Sequence, residues 1–239
     1  MARRQFGVST HLYRHQRLAR EHLIEIAAHG FDVVELEVAA GHFDPSNEAA
    51  VADLQQWLAE ARLDLHAVAA PPPDGPEAWN AGALGPVERA IYIARRIPVG
   101  LLVLPVGSPK SASKAVERLV ELADPLGVTI AIDSRSPSMK PTETLVSFVE
   151  RCEARVGIAL DFATAGKGHT LVDAIETASE HLLSARVPAA SGITWPAVMT
   201  TLQKVGYEGP FIIDAQGSSS PSALQTAEDA RERLNHSLG

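Results

Sequence analysis

The chain has 239 residues, 46% hydrophobic and 21% charged, an ordinary globular balance that supports a sizeable core. Its net charge of −8 disfavours a nucleic-acid partner or an anionic membrane, since either calls for a basic face. The single cysteine, Cys152, excludes an intramolecular disulfide and a cysteine-built zinc site.

The opening Met1-Ala2-Arg3-Arg4-Gln5 has no apolar signal region and runs straight into a strand-like segment at 6–10. Gly30 then follows an apolar helix end and precedes a strand at 33–38. Asp44 before Pro45 reads as an N-cap with proline at the first helical position. Val51, Leu54 and Leu58 form the stripe of the helix that follows. Strands at 65–70 and 101–106 come next, then a helix carrying Val116, Leu119, Val120 and Ala123. Gly127 ends that helix before a strand at 128–133. Leu145, Phe148, Val149 and Cys152 mark another helix, which makes Cys152 core filler rather than a nucleophile. A strand at 156–161 precedes the stripe Leu171, Ile175, Ala178 and Leu182. Strands at 182–187 and 211–214 flank a helix opened by Trp195, with Gly206 behind it.

Eight such strands are rich in Val, Ile and Leu without strict alternation, as strands read when both faces are covered. Alternating with helices, they predict a single-domain (β/α)8 barrel over 1–239. An open doubly wound sheet would place a glycine-rich turn after the first strand; Ser9-Thr10-His11-Leu12-Tyr13 stands there instead. The segments 71–76 and 217–221 read as loops on the C-terminal face, where barrel sites are built. No stretch is long enough to span a membrane, so a cytoplasmic location is the default expectation.

Several segments carry a family resemblance across essentially the whole chain. They are Phe6-Gly7-Val8-Ser9-Thr10, Leu126-Gly127-Val128-Thr129-Ile130-Ala131-Ile132, Gly157-Ile158-Ala159-Leu160-Asp161-Phe162 and Trp195-Pro196-Ala197-Val198 through Gly206-Tyr207-Glu208-Gly209-Pro210. The most specific is Gly30-Phe31-Asp32-Val33-Val34-Glu35-Leu36. Together they resemble the xylose isomerase-like sugar isomerase/epimerase barrels. The family also includes the fold relative endonuclease IV, whose nucleic-acid chemistry the acidic balance argues against. The resemblance implies a divalent metal held by Glu, Asp, His and Glu at the ends of strands five to eight, with two glutamates moving a proton between neighbouring sugar carbons.

The sequence departs from that pattern at most positions. Asp133-Ser134 stands for Glu-Asn, and Ala163 and Thr164 stand for Gly-His after Asp161. Arg186-Val187-Pro188-Ala189 stands for His-x-His-Asp, and Asp214 stands for Glu. Ala69 and Pro105 stand where further histidines often occur. Asp161 alone matches outright. Shortening Glu to Asp withdraws the carboxylate by one methylene, which ligand geometry does not absorb without rearrangement.

Asp133, Asp161 and Asp214 are therefore the candidate catalytic residues, and they admit two readings. Either they form a weakened Mg²⁺ or Mn²⁺ site, or they are vestigial acids, solvated or paired with Arg135 or Arg186. Without a histidine they make a poor cage for a transition metal, so no resident cofactor is expected, with Mg²⁺ or Mn²⁺ the alternative. Glu35, His66, Trp195 and Lys167 are candidate ligand-binding residues. Each also has a plain reading: Glu35 paired inside the barrel, His66 a core histidine, Trp195 rim packing, and Lys167 part of a flexible Gly-Lys-Gly loop lacking the full phosphate-loop pattern. Ser9, Ser108 and Ser134 lie in no strand-to-helix nucleophile elbow.

Three functions stay open: a member without efficient isomerase activity, natural or engineered; a metal-dependent isomerase or epimerase on Asp133, Asp161 and Asp214; and a non-catalytic binding module or design scaffold. All three expect a small-molecule ligand in the barrel mouth; the oligomeric state stays open.

Overall fold

In a computed structural model, the structure describes residues 4–70, 84–107, 109–136, 139–152, 155–165, 171–189, 193–215 and 221–237. Lys167, Ser108 and segments 71–76 and 217–220 lie outside them. The strands are β1 (Phe6–Ser9), β2 (Val33–Glu37), β3 (Asp64–Ala69), β4 (Leu101–Leu104), β5 (Thr129–Asp133), β6 (Val156–Asp161), β7 (Leu182–Pro188) and β8 (Phe211–Asp214). Each pairs in parallel with its sequence neighbours, and β8 closes on β1. That is the (β/α)8 barrel expected from the sequence.

The helices between strands are α1 (Arg20–Ala28), α2 (Glu48–Ala61), α3 (Gly85–Ile91), α4 (Pro109–Ala123), α5 (Thr142–Arg151), the short α6 (Phe162–Ala165), α7 (Leu171–Ala178), α8 (Trp195–Lys204) and α9 (Pro221–His236). Their apolar stripes lie where the periodicity put them. Val51, Leu54 and Leu58 of α2, and Leu145, Phe148 and Val149 of α5, are buried against the outer face of the sheet. Gly30, Gly127 and Gly206 all take positive φ, near 72–76°, the left-handed conformation that ends a helix at low cost for glycine.

Two local expectations are corrected. α7 stops at Ala178, so Leu182 opens β7 instead of extending the helical stripe. The N-cap of α2 is Asn47, whose side-chain oxygen accepts from the amides of Ala49 and Ala50 at 3.1 and 3.2 Å. Asp44 instead holds a turn, accepting from both the amide and the hydroxyl of Ser46. Asn47→Ala should therefore cost about 1 kcal/mol, read from urea unfolding, whereas Asp44→Ala should leave the helix-cap contribution intact.

Inside the barrel, alternate residues point inward and many are small. Ala67, Ala131 and Ala159 pack with Leu101, Val103 and Leu183 into a separate apolar cluster. Gly157 is required by close approach: a Cβ there would meet the Leu183 side chain and stand 2.9 Å from the His181 carbonyl oxygen. Small residues leave axial space, and one long side chain, Arg186, is buried within it.

Candidate functional site at the barrel mouth

The parallel register delivers the acids to one end. Asp133, Asp161 and Asp214 are the last residues of β5, β6 and β8. Arg186 of β7 pairs in register with Asp161, and Glu35 of β2 with Ser9. All four acids and Arg186 are buried.

Arg186 organises the group. Its side chain is 3% exposed. Nη2 donates to Glu35 Oε1, and Nη1 donates to Asp133 Oδ2 at 3.1 Å. Arg135 approaches Asp133 from the other side. Its Nε and Nη2 donate to Oδ2 at 2.9 and 2.7 Å, and its own amide donates to Oδ1 at 2.8 Å. Arg135 Nη1 also stands 3.7 Å from Asp214 Oδ2, an ion pair without a close hydrogen bond. Two fixed cations thus link three carboxyls, those of Glu35, Asp133 and Asp214. Both oxygens of Asp133 are taken up by guanidinium or amide donors.

The acids respond differently. Burial opposes ionisation of Asp133, but Arg186 and Arg135 outweigh it and hold its carboxyl below the usual range. At Asp161 burial wins, and the carboxyl is pushed up although both arginines pull the other way. Burial likewise works against the charge of Arg186, yet Glu35 and Asp133 raise its affinity for the proton. Asp161 Oδ1 accepts from the Thr164 amide at 2.9 Å, and its own amide donates to Ser134 Oγ at 2.7 Å. No hydrogen bond engages Asp161 Oδ2 among the described residues.

Above this layer opens a cavity of about 360 Å³. Arg135, Asp161, Thr164 and Asp214 supply its polar wall, and Pro188 and Ala189 part of its apolar wall. The structure therefore brings Asp161 and Asp214 to the cavity and sets Asp133 and Glu35 beneath it as partners of arginine. Two expected ligand-binding residues lie elsewhere. Trp195 is in a groove with Arg233 and His236 beside the end of α9. His66 borders a different cavity, at the N-terminal end of the barrel.

Sequence reasoning named Arg135 and Arg186 only as possible partners of the acids. A signal for more was present: Arg186 interrupts an apolar strand between Ala185 and Val187, and a charge inside such a strand must be paired. Thr164 carried no comparable signal.

The sequence matches the family model described as xylose isomerase-like TIM barrel over residues 23–236. Among curated proteins none matches in sequence. Among solved structures, a D-psicose 3-epimerase in the presence of D-fructose superposes with a TM-score of 0.82 at 16% identity, covering 98% of this chain and 99% of that one. A D-allulose 3-epimerase from Methylomonas sp. gives 0.83 at 15% identity, covering 99% and 98%. A 3-keto-D-glucoside 4-epimerase from E. coli gives 0.80 at 13% identity, covering 98% and 100%. At these identities the likeness is one of fold.

Proposed function

The chain belongs to the xylose isomerase-like TIM barrel family, and from that premise we propose that its mouth binds a small neutral polyhydroxylated compound without a resident divalent cation. The observation that carries this reading is Arg186, a buried guanidinium bonded to both Glu35 and Asp133. The donor set does not fit a divalent ion. Asp133 has its oxygens engaged by arginine and amide donors, and Arg135 stands beside Asp214. A metal entering here would meet two fixed positive charges at close range. Among the described residues no group of three or more His, Cys, Asp and Glu could hold one.

The ligand class follows from charge and shape. Four carboxyls face two guanidiniums, so the cluster repels an anion even with Asp161 protonated. A wholly apolar ligand would strip water from Asp161 and Asp214 without replacing its hydrogen bonds. That argues against the reading of an emptied scaffold for apolar molecules. A polyol satisfies both walls: its hydroxyls donate to Asp161 and Asp214 and accept from Arg135, and its C–H face lies on Pro188 and Ala189. Neighbours whose names include ketohexose epimerases support sugar-sized ligands. Efficient metal-dependent isomerisation on Asp133, Asp161 and Asp214 is not expected, because it requires both arginines to leave Asp133.

A calorimetric titration with D-fructose, a neutral ketohexose, in the presence of EDTA tests this. Binding unaffected by the chelator and lost in Asp161→Ala is expected. Binding that requires added Mn²⁺, or that survives Asp161→Ala unchanged, would contradict the proposal.

A further inference from the structure

We infer that the segment joining β1 to α1, residues 10–19 at the rim of the mouth, is a clasp operated by pH: two uncharged histidines, His22 and His42, hold it shut, and a proton on His22 releases it. Its operation needs no ligand at the mouth. The ends of the segment are anchored by buried Leu12, Tyr13 and Leu18, whereas Arg14, His15, Gln16 and Arg17 between them are exposed. Burial therefore does little to hold the middle, and hydrogen bonds must do so.

Both histidines converge on Gln16. The Ala19 amide donates to His22 Nδ1 at 3.1 Å, so that nitrogen is bare and the ring proton sits on Nε2, 3.3 Å from Gln16 Oε1. His42 Nδ1 stands 2.8 Å from the Gln16 backbone carbonyl oxygen. A carbonyl only accepts, so this nitrogen carries the proton. His42 Nε2 is 3.1 Å from Thr10 Oγ1, which itself accepts the Glu37 amide at 2.9 Å; the Thr10 hydroxyl then donates to the ring. The Leu18 amide donates to the His42 carbonyl at 2.9 Å, which ties the segment to the loop after β2.

His22 is the moving part because its partner cannot reverse. A backbone N–H only donates, so a proton on Nδ1 sets two donors against each other and the cap of α1 is lost. His42 keeps its bond to Gln16 in either state. Burial holds His22 below its ordinary pKa, against the pull of Glu25 and Glu21 on its own helix. Tyr13 stacks on the ring with centroids 4.1 Å apart, and its hydroxyl donates to Glu25. Burial acts on His42 in the same direction, against the Gln16 carbonyl and Glu37, and His22 adds to the downward push. Arg17, Asp44 and Asp53 border the cavity beside His42. Within the segment, His11 Nδ1 lies 3.7 Å from Glu37 at the end of β2, so release also loosens a charged contact at the rim. A histidine whose folded pKa is lowered contributes stability that is fully present above its unfolded value, about pH 6.5, and is lost as pH falls through the folded value. The clasp is therefore shut at neutral pH and opens on the acid side.

Amide hydrogen exchange of the full chain, corrected for the intrinsic rate at each pH, tests this. Protection of the Ala19 amide should be about fivefold lower at about pH 5 than at pH 7, the factor that one helix cap contributes. The amides of Ile132 on β5 and Ile158 on β6 should keep theirs. His22→Gln supplies the control: a glutamine oxygen accepts the same amide at any pH, so protection should persist on the acid side. Ala19 protection unchanged across that range in the unaltered chain would overturn the inference, and this reading needs no variant to fold. So would a loss in His22→Gln with the same midpoint, or a loss shared at that pH by Ile132 and Ile158, which would make the transition global.

Discussion

Arg186→Ala should lower stability by about 3–5 kcal/mol, because it leaves buried Glu35 without its counter-charge and Asp133 with Arg135 alone. In a chain of this size that corresponds to a fall in Tm of roughly 10 °C, measurable by calorimetry. The penalty arises less from the lost contact than from what remains. Glu35 and Asp133 are 1% and 2% exposed, and neither can recover water without opening the barrel. The deficit should therefore shrink as the pH is lowered and the orphaned Glu35 takes up a proton. Arg186→Lys should recover part of the loss only. Lysine keeps the charge but cannot fork between Glu35 on β2 and Asp133 on β5 as the guanidinium does. Equal stability of Arg186→Ala and the unaltered chain at neutral pH would show that the guanidinium is not the internal counter-ion.

Asp133→Asn is expected to have an effect of similar size, about 3–5 kcal/mol at neutral pH, and a diagnostic pH signature. The carboxyl of Asp133 is held below its ordinary value by Arg186 and Arg135, against the opposing effect of burial. A depressed carboxylate contributes stability that is fully present above its unfolded value, about pH 4, and is lost as pH falls through the folded value. Replacing it with a neutral amide should flatten that acid limb in urea unfolding measured from pH 7 downward. Asp161 runs in the opposite sense. Its folded pKa is raised by burial, so its contribution is present at low pH and is lost as pH rises through the folded value. An acid limb as steep in Asp133→Asn as in the unaltered chain would mean that other carboxylates govern acid unfolding.

Much of the fold was legible because its causes are local. Apolar runs without alternation marked strands covered on both sides, and β6 and β8 fall at the predicted bounds. Left-handed glycines marked helix ends. The errors also have local causes: Asp44 and Asn47 both suit a cap, and only the hydrogen bonds select Asn47. At the site, strand-end positions announced Asp133, Asp161 and Asp214, but not which of them would face the cavity. That division depends on Arg186 reaching across the barrel from β7 to β2 and β5, over 151 and 53 residues of sequence. No spacing rule carries such a contact. His66 was legible as a histidine on a strand, yet its placement at the far end of the barrel depends on strand register, including the irregularity between Val34 and Glu35 opposite β3.

Arginine holds the position at the mouth that a divalent ion would need. Titrating Mn²⁺ into the metal-stripped chain while following the electron paramagnetic resonance signal of the free ion tests this most directly. The full signal of free Mn²⁺ should persist at equimolar protein, with and without D-fructose. Stoichiometric loss of that signal, reversed in Asp161→Ala, would contradict the account and place a metal at the mouth.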